Sequence, residues 1–153
     1  MLAQFDYRSF SNALRQRPKD QRQVPPLQCQ GLEIQQRINT LAAILKRHQL
    51  DYIDEKECQR QIDEMLREQG ATFEREVPMG SGYIDFYFRQ SGLGLEVKAN
   101  KNWSRREIFY QCEDYCKDER LAGLVLATGR AQGLPSSLYA KPVRVVYLGE
   151  AFL

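Results

Sequence analysis

The sequence predicts an α/β protein in which helices flank a mixed β-sheet. Three features of its pattern indicate this fold class. Two stretches have apolar residues at helical spacing, three short alternating segments joined by tight turns follow, and a further helix precedes two more strands. Helices before and after an antiparallel meander are typical of a sheet that lies between helical layers.

The first 30 residues favour an irregular lead-in, because they contain Pro18, Pro25, Pro26 and six glutamines. An amphipathic helix is expected next, over 32–49, available for packing or for a homodimer interface. Its apolar positions are Leu32, Ile34, Ile38, Leu41, Ala42, Ile44 and Leu45. The expected organisation is a basic N-terminal arm with this helical extension (1–50) and a core domain (51–153).

Two further helices have recognisable ends. The first is expected over 54–69, where Asp54 and Glu57 have capping-box spacing and Gly70 ends the pattern. Its apolar stripe consists of Ile62, Met65 and Leu66. The second is expected over 104–117, beginning at a second capping box formed by Ser104 and Glu107.

The strands follow from changes of period. The antiparallel meander is expected at 73–78, 83–88 and 93–99, with the turns MGSG and QSG between its strands. Residues 121–128 are apolar enough for a strand that is buried on both faces. A last strand is expected at 143–149, after a loop that contains Pro135 and Pro142.

The composition disfavours several classes of protein. No apolar run approaches the roughly 20 residues of a membrane helix, and the N-terminus lacks the order of a secretory signal, so a cytoplasmic location without a membrane partner is expected. The single histidine disfavours Ser/His and Cys/His hydrolases, and the lack of a GxxxxGK[ST] loop disfavours a nucleotide cofactor. The four cysteines lack zinc or iron–sulfur spacing and are expected as free thiols.

Charge is unevenly distributed along the chain although the net charge is only +2. Residues 1–50 contain eight Lys/Arg against three Asp/Glu, and the rest contains fourteen against seventeen. A basic front end on a slightly acidic body suits a phosphate-gripping arm joined to a cation-binding site. A solvated tail explains the same distribution equally well.

Three charged residues in the meander point to chemistry. Side chains alternate along a strand, so Glu96 and Lys98 share one face of theirs. On the preceding strand Asp85 is expected to face opposite to Ile84 and Phe86, and therefore to meet Glu96 and Lys98. Two carboxylates this close repel each other unless a cation lies between them. With a lysine beside the cation, these are the parts of a metal-assisted phosphodiester hydrolysis site.

The order of these residues resembles the PD-(D/E)XK nuclease superfamily, and within it the RecB-type and VRR-type branches. The similar stretch covers about half of the chain, from about residue 55 to 128. It comprises Glu57 on a helix, GYID with Asp85, LEVK with Glu96 and Lys98, the pair Gln111-x-x-x-Tyr115, and the strand that ends at Thr128. The segment Gly82-Tyr83-Ile84-Asp85 keeps the family's proline or glycine before the aspartate only loosely.

This resemblance implies a restriction-endonuclease-like fold and a role for each matching residue. Asp85, Glu96 and the main-chain carbonyl of Val97 would bind Mg²⁺ or Mn²⁺, and Glu57 would complete the metal shell. Lys98 would position or activate the attacking water. The pair Gln111 and Tyr115 would contact the DNA backbone or brace the lysine.

A basic and aromatic segment follows the metal strand, and the nucleic-acid contacts are expected there: Lys101, Trp103, Arg105 and Arg106. Two arginines in the first turn of a helix are unfavourable for the helix dipole, which favours a functional reason for them. The alternative is a solvated loop and helix start.

Other interpretations remain open for the same residues. Asp85, Glu96 and Lys98 could form a surface salt-bridge cluster on an exposed sheet face. Glu57 could act only as a capping residue, Glu76 could be a further ligand or an arginine partner, and Tyr115 could belong only to an apolar helix face. The whole chain could also be a catalytically silent accessory factor that binds DNA or protein, or a structural subunit of a larger enzyme.

Overall fold

A computed structural model of the chain describes residues 27–100 and 102–149, with side chains from residue 31 onward. Within these ranges the helices are α1 (Leu27–Arg47), α2 (Glu55–Glu68) and α3 (Arg105–Lys117). The strands are β1 (Glu74–Met79), β2 (Gly82–Phe88), β3 (Leu93–Lys98), β4 (Gly123–Thr128), β5 (Ser137–Leu138) and β6 (Lys141–Tyr147). Within the same ranges, no helix is both long enough and apolar enough to cross a membrane.

The strands form one mixed sheet in the order β1-β2-β3-β4-β6-β5. The antiparallel meander β1-β2-β3 is confirmed, and β4 and β6 extend it in parallel. The short strand β5 was not predicted, and it pairs with β6 as a hairpin inside the segment expected to be a loop. The predicted α/β class with a mixed sheet is therefore confirmed.

Helices cover both faces of the sheet. Helices α1 and α2 pack on one face, where Ile38, Leu41 and Leu45 share a core with the inward side chains of β3 and β4. Helix α3 covers the other face through Cys112 and Tyr115. Apart from Leu32, which is 68% exposed, the stripe of α1 that suggested a dimer interface is buried within the chain, and α1 shares one core with the strands beyond residue 50.

The helix starts follow the predicted caps to different extents. At α3 both halves of the capping box are present, between Ser104 and Glu107. At α2 only one half forms, because the Asp54 side chain accepts from the Glu57 N–H while the Glu57 carboxylate bonds to Arg60. Helix α3 therefore begins at a fixed point, two residues after Trp103.

The alternation of β2 breaks at Asp85, which corrects the expectation that Ile84 and Phe86 face the same way. Phe86 packs in the core with α1 and α2, whereas Ile84 packs in the core with α3. The last paired residues of β2 and β3 on this side are Phe86 and Leu95. Beyond them the Asp85 carboxylate accepts the Val97 N–H, so a side chain replaces the main-chain ladder as the strands diverge.

The β5–β6 hairpin contains a strained turn. Its two loop residues, Tyr139 and Ala140, have φ of 50° and 59°, in the left-handed region that favours glycine. Ala140 is exposed. We expect Ala140→Gly to raise the free energy of unfolding by about 1 kcal/mol, because it removes strain without removing contacts. Urea denaturation measures this change.

The matched control is Ala131→Gly at another exposed loop position, whose φ is not positive. That substitution should lower the free energy of unfolding by about 0.4–1 kcal/mol, since it only adds freedom to the unfolded chain. Equal effects of the two substitutions would show that the turn at Ala140 stores no strain.

Candidate active site

Glu96 and Lys98 form an ion pair inside the protein. Both lie on β3, with the lysine Nζ 2.8 Å from the Glu96 Oε1 and exposed fractions of 4% and 1% for Lys98 and Glu96. Because α3 covers this side of the sheet, a surface salt-bridge cluster on an exposed face does not describe them. Buried charges of this kind are costly and need specific partners.

Asp85 joins the pair where β2 and β3 diverge. Its Oδ2 accepts the Val97 N–H at 2.8 Å, and its Oδ1 accepts the Gln59 side-chain amide at 3.0 Å. The Asp85 N–H in turn points to the Glu96 Oε2 at 3.4 Å. The three residues that the motif predicted, Asp85, Glu96 and Lys98, are therefore brought together.

Arg75 supports Asp85 through contacts that were not predicted from the sequence. Arg75 donates to the Gln59 Oε1 at 3.1 Å and to the Asp85 main-chain carbonyl at 3.0 Å. Its position is fixed by an ion pair with Asp63 at 2.8 Å and by the Phe86 ring, 4.2 Å from the guanidinium. Because Arg75 occupies the amide oxygen of Gln59, the amide NH₂ is directed to Asp85.

The acid that α2 brings to this group is Glu55, not Glu57. Glu55 is half-buried, and the charges of Lys98 and Asp85 both act on its pKa. Glu57 instead pairs with Arg60 at 2.7 Å and accepts from Gln61, on a side of α2 where its side chain is 36% exposed. Glu57 was also predicted to cap the helix, and it does so only through its main-chain N–H, which donates to the Asp54 carboxylate.

The spacing of residues along α2 distinguishes Glu55 from Glu57. Glu55 lies three residues before the buried Cys58 and seven before the buried Ile62, so it shares their face of α2. Glu57 is two residues further, which turns it away by about half a turn of helix. Gln59, four residues after Glu55, lies on the same side and reaches Asp85.

Burial and mutual repulsion oppose ionisation of the carboxyls. Burial raises the pKa of Glu96, and the neighbouring Asp85 charge raises it further, against the attraction of Lys98. Burial also raises the pKa of Asp85, although the Val97 N–H opposes this. For Lys98 burial lowers the pKa, but the Glu96 carboxylate outweighs it, so the net shift is upward and the ammonium is retained.

The predicted pair on α3 is directed at strand β2. Gln111 donates to the Tyr115 hydroxyl at 2.7 Å, and that hydroxyl donates to the Tyr83 main-chain carbonyl at 2.7 Å. Tyr115 is completely buried and packs beside Cys112, so it has an apolar role as well. Its polar role is to hold β2 two residues before Asp85.

The predicted nucleic-acid residues lie at the rim. Trp103 is 38% exposed, and its ring centroid lies 4.3 Å from the Lys98 Nζ. Arg105 and Arg106 are exposed in the first turn of α3. Lys101 falls outside the described residues. Glu76 is exposed on β1 with a φ of 51°, and it forms no ion pair with another residue in the described ranges.

The donor set fits a hard divalent cation in part. Its oxygens come from carboxylates, as Mg²⁺ prefers, and the Glu55 Oε2 is buried without a hydrogen-bond partner. However, no group of three or more His, Cys, Asp and Glu side chains in the described part of the chain is already arranged to hold a metal ion. Lys98 and Gln59 occupy carboxylate oxygens that a cation would share.

The cysteines agree with the prediction of free thiols where they are described. Cys58, Cys112 and Cys116 are free and buried, and the side chain of Cys29 lies outside the described residues. No protein-family model, curated protein or solved structure matches this chain. Any functional proposal therefore depends on the residues of the chain itself.

The raised pKa of Asp85 predicts a pH-dependent effect of Asp85→Asn. A carboxyl whose pKa is higher in the folded state stabilises that state when protonated, and this stability is lost as the pH rises through the folded pKa. We expect Asp85→Asn to raise the Tm of the metal-free protein at pH 8, by about 2–4 °C for each kcal/mol gained. The gain should shrink towards pH 4.

Thermal denaturation in EDTA across this pH range measures the effect. Asp63→Asn serves as the control, because the pKa of Asp63 is lowered by its two arginine partners despite some burial. That variant should lose stability at pH 8. A lower Tm for Asp85→Asn at pH 8 would show that the hydrogen bonds to the carboxylate outweigh its burial.

Proposed function

We propose that this chain is a metal-dependent DNA nuclease with a restriction-endonuclease-like core of the PD-(D/E)XK type. The observation that carries the proposal is the grouping of the half-buried Asp85 with the buried Glu96–Lys98 pair where β2 and β3 diverge. A protein has no structural need to bury a carboxylate and an ammonium beside a second carboxylate, because apolar residues of similar volume are often as stable. The mixed sheet with helices on both faces is compatible with such a core.

In this proposal Asp85, Glu96 and the Val97 carbonyl hold Mg²⁺ or Mn²⁺, and Glu55 takes the place that the sequence had suggested for Glu57. When bound, the metal would polarise the phosphate and lower the pKa of a water. Because the Glu96 carboxylate stabilises its ammonium form, Lys98 is not proposed as a base. It would instead orient the attacking water and stabilise the developing negative charge.

Two residues on α3 are positioning residues in this scheme. The Tyr115 hydroxyl is engaged by Gln111 and by the Tyr83 carbonyl, and its ring is completely buried. Contact between Tyr115 and the DNA backbone is therefore not part of the proposal. Its role is to keep Asp85 at a constant distance from α3.

A catalytically silent accessory factor is the second candidate. It is favoured because both carboxylates already have partners within the chain. Lys98 pairs with Glu96, and Gln59 donates to Asp85. A module of this kind should melt at the same temperature with and without Mn²⁺. A nuclease site should be stabilised in proportion to the logarithm of the metal concentration.

Cleavage of labelled DNA tests the nuclease directly. Linear, nicked, flapped and four-way-junction DNA would be incubated with Mg²⁺, Mn²⁺ or EDTA. We expect metal-dependent cutting that Lys98→Met slows by about 10²–10³-fold, because the substitution keeps the volume of the side chain but removes its donor. Lys117→Met, at the exposed far end of α3, should cut as the wild type does.

No cutting of any substrate, together with no effect of metal on the Tm, would overturn the proposal and favour the accessory factor. Cutting that Lys98→Met leaves unchanged would indicate a contaminating nuclease or a different site.

The choice between the two acids of α2 can be tested by Mn²⁺ titration. We expect Glu55→Gln to weaken Mn²⁺ affinity by roughly 10–100-fold, since it removes a carboxylate beside the proposed ion. Glu57→Gln should leave the affinity unchanged, because that carboxylate pairs with Arg60 instead. Isothermal titration calorimetry measures both variants, and the opposite ranking would restore Glu57 as the ligand.

A further inference from the structure

The indole ring of Trp103 forms the outer wall of the proposed site. One face lies over the Lys98 ammonium, with 4.3 Å between the Nζ and the ring centroid. The residue is nevertheless 38% exposed, whereas the lysine below it is only 4% exposed. Trp103 therefore forms part of the cover over Lys98 and leaves part of its own surface accessible from outside.

We propose that this outer surface stacks a nucleobase, so that the site takes unpaired nucleotides, at strand ends, flaps or single-stranded segments, in preference to continuous duplex. The inference rests on the proposed nuclease function and names its substrate class. Every base has an aromatic face that can stack on an indole, whatever the sequence. In a continuous duplex both faces of each base are covered by its neighbours, and only an unpaired or terminal base has one to offer.

Contacts of the main chain and of one ring face hold Trp103 in place. The next residue, Ser104, is fixed by the capping box at the start of α3, and the Trp103 carbonyl accepts from Arg130 at 3.2 Å. The cation–π contact with Lys98 holds the inner face, and such contacts contribute most where the cation is desolvated. A fixed ring loses little freedom when a base stacks on it.

A second apolar segment is exposed beside the site. Tyr52 and Ile53 are 38% and 79% exposed, and they directly precede the cap of the helix that carries Glu55. Their loop approaches the strand before Trp103, since a Cβ at Gly129 would meet both the Tyr52 and the Ala99 carbonyl oxygens. Exposed apolar side chains on two neighbouring loops suit the faces of splayed bases better than a sugar-phosphate backbone.

Two arginines that could contact phosphates lie close to Trp103 along the chain. Arg105 and Arg106 follow Trp103 by two and three residues and are exposed in the first turn of α3. Phosphate groups bind favourably at arginines and at helix N-termini. In this proposal these arginines would contact phosphates adjacent to a base on Trp103.

Binding experiments without cleavage test this inference. Trp103 is the only tryptophan of the chain, so its fluorescence reports on the site alone. The full chain in EDTA would be titrated with a single-stranded oligonucleotide of about 16 nucleotides and with the blunt duplex of the same sequence. We expect quenching by the single strand and an affinity for it at least about 5-fold higher than for the duplex.

Variants then assign the effect to the ring, with anisotropy of labelled oligonucleotides as the readout. Trp103→Leu should lose about 5- to 150-fold in affinity for the single strand, the range expected for one stacked base. Trp103→Phe should recover most of it. Tyr139→Leu, a similarly exposed aromatic on the distant β5–β6 hairpin, should bind as the wild type does.

A Mn²⁺-dependent rise in Tm that persists in Trp103→Leu would show that the variant is folded with an intact metal site. Equal affinity of wild type and Trp103→Leu, no preference for the single strand, or no binding at all would each overturn the inference. Metal-dependent cleavage by the wild type would then still support the nuclease proposal. Conversely, single-strand binding through Trp103 without cleavage or metal stabilisation would keep the stacking surface and overturn the nuclease.

Discussion

Lys98 and Glu96 form a 2.8 Å ion pair within a sheet that helices cover on both faces. Moving two charges from water to such a place costs several kcal/mol for each ion, and the pair is tolerated only with good geometry and further partners. Residues of the neighbouring strand and of the loop before α3 supply those partners. Asp85 contacts Glu96 through its N–H, and Trp103 covers the ammonium.

The arrangement around Asp85 follows from the same constraint. Its carboxylate takes the Val97 N–H that a β2–β3 ladder would have used, and this exchange separates the two strands. Ile84 and Phe86 consequently pack in different cores, although simple alternation would place them together. On this side of the sheet Gln59 donates to Asp85, and Glu55 lies close enough for the charges of Lys98 and Asp85 to act on it.

The sequence predicted the parts of the fold that depend on local pattern. Both cap positions, the meander and the buried strand β4 were read correctly, because each has a signal within a few residues. Glu55 was not predicted, although its spacing from the buried Cys58 and Ile62 places it on the inner face of α2. The short strand β5 was missed because its turn uses Tyr139 and Ala140 where glycine or asparagine is usual.

The sequence does not indicate that Gln59, Arg75 and Asp63 form a network beside Asp85. Gln59 and Asp63 lie on α2 and Arg75 on β1, and they meet only because the helix crosses the sheet beside β2. A chance match to E-x-K would have no reason to gather such partners. Their presence around Asp85 therefore supports the proposed site more strongly than the motif does.

Helix α3 connects the two halves of the proposed site. Near its C-terminal end, Asp114 accepts from the Ser81 N–H at 2.6 Å and Tyr115 donates to the Tyr83 carbonyl, which ties the helix to the start of β2. At its other end the capping box fixes the loop that places Trp103 over Lys98. One rigid helix thus determines the position of Asp85 on β2 and of the wall above Lys98 on β3. If a nucleobase stacks on that wall, the distance from base to carboxylates is set by α3 rather than by the flexibility of a loop.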